Sequence, residues 1–164
     1  MFSFLLNRDD ISPALSRMAR AAKNPAEVFR AMGTTFMSLT MGNFKSDAYR
    51  PAAWRSKRDG SESKLQQSGV LSRSFKLSVT ATGATVKAPP IYAAIHQYGG
   101  VIKSKHGKFL RFKWGPGDAD WATVKEVKIP PRPFFPVQND RLTDKASEKI
   151  AAAGQRVIQR QAAP

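Results

Sequence analysis

The chain has 164 residues, with 27 Lys and Arg against 12 Asp and Glu, a net charge of +15, and no cysteine. The length suits one domain over residues 1–164. The missing thiol excludes disulfides, thiolate metal sites and cysteine nucleophiles, and no apolar run reaches the roughly 18 residues that cross a bilayer. A chain this basic is drawn to polyanions, whether nucleic acid or acidic protein, and charge does not choose between them.

The start, Met1 to Leu6, is apolar but meets Arg8-Asp9-Asp10 too soon for a signal peptide. Residues 1–10 therefore read as an apolar arm, with Phe2, Phe4 and Leu5 as candidate contacts on a partner and docking on the chain itself as the alternative. Ser12-Pro13 opens a short helix over 12–22. Asn24-Pro25-Ala26-Glu27 gives a stronger start, since Asn24 can cap the first-turn amides and Glu27 stands at the capping-box position. Val28, Met32, Phe36 and Leu39 follow at helical spacing, widened by Met37, Met41 and Phe44, and read as a core-facing stripe.

Between Lys45 and Lys64 the periodicity stops. Lys45, Arg50, Arg55, Lys57, Arg58 and Lys64, with Pro51 and Gly60, predict an extended basic loop at 45–64, partly ordered by Tyr49 and Trp54. Arg55, Lys57 and Arg58 are its candidate interface cations. Residues 71–88 predict a β-hairpin: Phe75, Leu77 and Val79 alternate with polar residues, and Thr82-Gly83 turns the chain. Ile91 to Tyr98 predicts a short helix with Ile91, Ile95 and Tyr98 on one side, ended by Gly99-Gly100.

Residues 101–114 interleave Lys103, Lys105, Lys108, Arg111 and Lys113 with Phe109, Leu110, Phe112 and Trp114. Strands are expected at Lys108 to Trp114 and Thr123 to Ile129, joined through Gly115-Pro116-Gly117 and two aspartates. Rings between cations suit single-stranded nucleic acid. An amphipathic strand that buries Phe109 and Leu110 or Phe112 gives the same alternation with no ligand, and is the preferred reading. Prolines punctuate 130–136, and a last helix over about Asp140 to Gln161 carries Leu142, Ala146, Ile150, Ala153 and Val157 as its stripe. Helices at both ends and antiparallel strands between them predict an α+β fold, a sheet packed with N-terminal and C-terminal helices.

Chemistry-bearing groups are sparse. His96 and His106 have no His-x-x-x-His partner, and Asp118 and Asp120 sit in a Gly/Pro loop. No phosphate-binding glycine loop or nucleophile elbow occurs. The expectation is a non-enzyme with no catalytic, cofactor or metal residues.

Three segments, in order, carry a resemblance: Leu65-Gln66-Gln67-Ser68-Gly69-Val70-Leu71-Ser72-Arg73-Ser74-Phe75, Pro90-Ile91-Tyr92-Ala93-Ala94-Ile95-His96-Gln97-Tyr98-Gly99-Gly100, and Ile129-Pro130-Pro131-Arg132-Pro133-Phe134-Phe135, with Pro51-Ala52-Ala53-Trp54 upstream. Together they resemble the Mu-type phage virion morphogenesis, or tail-completion, family over roughly residues 50–140. The resemblance marks Gly69, Leu71, Tyr92, His96, Gly99, Gly100, Arg132, Pro133 and Phe134 as motif positions. It implies a structural virion protein of the head–tail junction, made in the bacterial cytoplasm and forming a ring, a hexamer by likeness to tail terminators. Tail tube protein and neck or connector protein would be its partners, with weak contact to passing DNA and none to membrane. A head-closure or connector protein, and a basic nucleic-acid-binding protein, are the alternatives. The candidate contacts to the tube are Lys103, Lys105, Lys108, Arg111 and Lys113.

Overall fold

The structure is a computed structural model, and it describes residues 2–7, 24–56, 65–66, 68–105, 107–113 and 121–162. The helix expected at 12–22, the loop residues Lys57, Arg58 and Lys64, and His106, Trp114, Asp118 and Asp120 lie outside the described residues.

Helix α1, Pro25–Gly42, begins as its sequence dictates: the Asn24 side chain accepts from the Glu27 N–H at 3.4 Å, and Pro25 needs no acceptor there. Val28, Met32 and Phe36 are buried along one face, and Leu39 and Met37 are partly covered. Met41 is exposed, so it does not extend the stripe. Helix α4, Asp144–Ala162, lies antiparallel to α1 and buries Ala146, Ile150 and Val157. Gly154, rather than Ala153, faces the crossing, where an added Cβ would lie 3.0 Å from the Met32 sulfur. Arg160 and Gln161 at its end bond the Glu27 carboxylate, so the last turn of α4 is tied to the first turn of α1.

The other side of α1 covers a three-stranded antiparallel sheet of order β1-β3-β2, with β1 at Phe2–Asn7, β2 at Lys76–Val79 and β3 at Gly83–Ala88. The hairpin β2–β3 is the expected one, but it starts at Lys76, because Val70–Arg73 forms a one-turn helix, α2. In β3, Ala84, Val86 and Ala88 alternate into the core. Their small size lets α1 come close: a Cβ on Gly33 would lie 2.6 Å from Leu77 Cδ1 and 2.8 Å from Ala84 Cβ.

Two expectations change here. The apolar arm is a strand of this sheet: Phe2 to Asn7 pair with Ala88 to Gly83, so Phe2, Phe4 and Leu5 belong to β1 and docking on the chain itself is the observed arrangement. The short helix α3, Ala93–Tyr98, does not bury the side formed by Ile91, Ile95 and Tyr98. Ile91 is 92% exposed and Tyr98 61%, and the buried residues are Ala93 and Gln97. Six residues carry too little length to impose an apolar face; α3 is held by buried Ala93 and by the polar contact of Gln97 described below.

An aromatic cluster closes the core between α1, the hairpin and the segment before α4. Phe134 and Phe135 stand at its centre, with ring centroids 5.4 Å from Phe44, 5.5 Å from Phe36 and 5.7–5.8 Å from Phe75. Each such ring contributes about 1.5–3 kcal/mol by burial. Beyond it, β8 (Val137–Gln138) and β9 (Arg141–Leu142) make a tight hairpin, turning through Asn139 and Asp140 at φ 51° and 59°.

The close approach at Gly33 sets a test. Gly33→Ala improves helix propensity by roughly 1 kcal/mol, but overpacking against Leu77 and Ala84 should cost about 1–3 kcal/mol. Gly42→Ala, whose Cβ meets nothing within 4 Å, should leave urea stability equal or raise it. A Gly33→Ala protein as stable as the Gly42→Ala protein would show that the helix–sheet spacing is slack.

Candidate functional site

The chain leaves the core at Gly99 and returns at Pro130, and everything described between forms a two-stranded ribbon. Strand β4 (Gly100–Lys103) pairs with β7 (Glu126–Ile129), and β5 (Leu110–Lys113) pairs with β6 (Trp121–Val124), both antiparallel. The second expected strand is thus two, broken at Lys125 opposite the longer break at residues 104–109. Strand β4 was hidden in the sequence because Val101 and Ile102 are followed by four polar or charged residues in five.

No described residue of this ribbon is buried. Phe109 is 53% exposed, Trp121 47%, Val101 48% and Phe112 37%. The preferred sequence reading, a strand that buries Phe109 and Leu110 or Phe112, is therefore corrected: the alternation is present, but Phe109 and Phe112 are exposed, and Leu110, Ala122 and Val124 are only partly covered among the described residues. In β5 and β6, Leu110, Phe112, Ala122 and Val124 share one face by register, and Arg111, Lys113, Trp121 and Thr123 share the other. Arg111 lies over the Trp121 ring at 4.9 Å, a contact that shields indole while leaving the cation in water. Lys103, Lys105, Lys108, Arg111 and Lys113 are thus gathered on one element and exposed, with the Lys103 ammonium 3.6 Å from the Glu126 carboxylate.

The root of the ribbon is held by side chains from three other places. Gln97 Oε1 accepts from the N–H of Phe134 at 3.0 Å and of Phe135 at 3.1 Å. Asn43, at the end of α1, donates from Nδ2 to the Phe134 carbonyl at 2.9 Å. Trp54 donates from Nε1 to the Pro133 carbonyl at 2.8 Å, while Arg50 stacks on its ring at 3.7 Å and bonds the Asn43 carbonyl. Removing the Gln97 acceptor would leave two buried N–H groups unpaired, at about 1–3 kcal/mol each. The Arg132 N–H bonds the His96 carbonyl at 2.7 Å. Gly99, at φ 73°, passes so near the returning strand that a Cβ would lie 2.9 Å from Pro131.

The motif positions fall into two groups. Gly69, at φ 68°, starts α2 and Leu71 is buried beneath it. Tyr92 packs edge-on against His96 at 5.9 Å; Gly99, Gly100, Arg132, Pro133 and Phe134 build the root. Arg55 stands exposed beside this root. Sequence reading missed Gln97 and Asn43 as structural bonds. Their signal was a polar residue inside an apolar run and at a helix end, which does not name its partner.

Among the described residues, no three His, Asp or Glu side chains gather to hold a metal ion, and no helix is long and apolar enough to cross a membrane. The site's physical capacity is binding: a basic, partly apolar ribbon on a fixed base.

The profile of the phage virion morphogenesis family matches residues 6–162. The chain is 30% identical over 129 residues to Mu-like prophage FluMu G protein 2 of Haemophilus influenzae, covering 79% of this chain and 78% of that protein. No solved structure matches the chain.

His96 supplies the pH test of this root. Burial first, and then the charge of Arg132, hold its imidazole below the ordinary value. The folded protein thus takes up this proton less readily than the unfolded chain, whose His titrates near 6.5. The His96 contribution to stability is complete above that pH and declines as pH falls below it, down to the folded pKa. Urea midpoints should drop through this window, and His96→Gln should flatten the drop; an equal slope in both proteins would contradict the assignment.

Proposed function

Because this chain belongs to the phage virion morphogenesis family, we propose that it is the structural subunit that ends the tail tube and joins it to the neck, acting as a ring. The observation that carries the reading is the ribbon formed by β4 to β7: its described residues include exposed basic and apolar side chains, among them Phe109, Phe112 and Trp121. A subunit with no partner would gain nothing in stability from exposed Phe109, Phe112 and Trp121. Against an acidic, partly apolar surface the same residues would be covered and paired.

A closed ring needs two unlike surfaces on each copy. The sheet provides a pair of this kind, since β1 and β2 are its two outer strands and each presents one backbone edge. The ribbon is then a third surface, free to meet the end of the tube or the neck. Its charges steer association and fix register more than they add affinity.

Changing Lys108, Arg111 and Lys113 to Glu should leave a folded subunit, because all three are exposed, and should sharply lower the yield of joined particles in an assembly assay. Phage lacking the protein should give filled heads beside separate tails of irregular length. Uniform free tails would favour a head-closure or connector role instead. Uniform tails firmly joined to heads would contradict both roles. The Arg111–Trp121 contact would also suit a base stacked beside a phosphate. That rival predicts tight duplex or single-strand binding at physiological salt, with steep loss as salt rises; the assembly role predicts weak, sequence-blind binding.

A further inference from the structure

Where the ribbon joins the body there is a cavity of about 900 Å3, lined by Arg55, Tyr98, Lys128, Ile129 and Arg132, with Gly99 and Gly100 in its wall. Its charged lining residues are cations. Asp140, whose charge reaches Tyr98, stands outside the lining. Arg132 Nε is shielded from solvent and has no acceptor among the described residues. A guanidinium N–H without an acceptor, away from water, is unfavourable, and the guanidinium fork matches a carboxylate better than any other protein group. The backbone bond from Arg132 to His96 and the Pro131 contact on Gly99 hold this residue in place, so the recess is formed before any partner arrives.

We propose that this cavity receives an acidic side chain, an aspartate or glutamate on a segment of a different protein, with its carboxylate on Arg132 and with Arg55 and Lys128 at the rim. A second copy of the chain is a weaker match, because it offers 12 carboxylates among 27 cations and its ring contacts fall to the sheet edges. Duplex nucleic acid is a poor one too. Its phosphates line the outside of a stiff rod, whereas Arg55, Lys128 and Arg132 line a recess that a flexible side chain can enter. Ile129 and Tyr98 beside the cations suit an acidic segment that also brings apolar atoms. The inference rests on the assembly role above for the identity of the carrier protein, and on the cavity alone for its chemistry.

The test uses the full chain and a fluorescein-labelled peptide of alternating Glu and Leu. Arg55→Glu with Lys128→Glu should weaken peptide binding by about tenfold or more, and Arg132→Gln should do the same. Lys108→Glu with Arg111→Glu, an equal change of charge on the far half of the ribbon, should weaken it by less than about threefold. Arg55 and Lys128 are both exposed, so their double variant should fold even if Arg132→Gln does not. Equal losses from the near and far pairs would show diffuse attraction and overturn the proposal. So would a short DNA duplex that displaces the peptide and depends on the same residues. The assay needs no particle: peptide bound at this cavity by a protein that proves dispensable for tail joining would uphold the cavity and refute the assembly role.

Discussion

The backbone N–H groups of Phe134 and Phe135 enter the core because the rings they carry belong there, and once inside they need an acceptor. Gln97 supplies one oxygen for both, at 3.0 and 3.1 Å. Most of the molecule's arrangement depends on that pair of bonds. They dock α3 on the core, since this six-residue helix buries only Ala93 besides Gln97; they fix the segment from Pro131 to Phe135; and they do both at the base of the ribbon. Asn43 and Trp54 hold the carbonyls on the same stretch, so a segment with no regular secondary structure is bonded from α1, from the loop after it and from α3. An irregular strand through a core is tolerated when its polar groups are paired in this way.

The consequence for function is division of labour. Core and clamp use the aromatic residues Phe36, Phe44, Phe75, Phe134 and Phe135, and the ribbon keeps its own, Phe109, Phe112 and Trp121, on the surface. A projecting two-stranded ribbon is marginal by itself in water, and its direction is set at the root. There Gly99 crosses Pro131 at a distance no side chain allows, and the Arg132 N–H closes on the His96 carbonyl. The family relation supports a structural role in phage morphogenesis.

How far the sequence showed this varies with the range of the interaction. Helix α1 was legible because Asn24, Pro25 and Glu27 act within one turn, and α4 because its stripe is long enough to average out single errors. The hairpin β2–β3 was legible from alternation and a local turn. The strand β1 was not, since its partner lies some eighty residues away and an apolar hexamer does not say what it pairs with. The ribbon shows a different limit. Alternation fixes which residues share a face, but whether that face is buried depends on what stands opposite, and here the described residues cover it only in part. Gln97 shows a third: its bonds reach 37 and 38 residues along the chain, and a lone polar residue among apolar ones signals a constraint without naming the far end. Of the motif positions, Gly99, Gly100, Arg132, Pro133 and Phe134 meet at the root, while Gly69 and Leu71 shape α2.

The central claim is that the Gln97 clamp aims the ribbon. The chain has no cysteine, so spin labels can be placed cleanly at Ser38 on α1 and Thr123 on β6, both exposed. Pulsed dipolar spectroscopy should give one narrow distance distribution for this pair. In Gln97→Leu it should broaden, while a second label pair between α1 and α4 keeps its distance. An unchanged distribution between Ser38 and Thr123 in the Gln97→Leu protein would contradict the account.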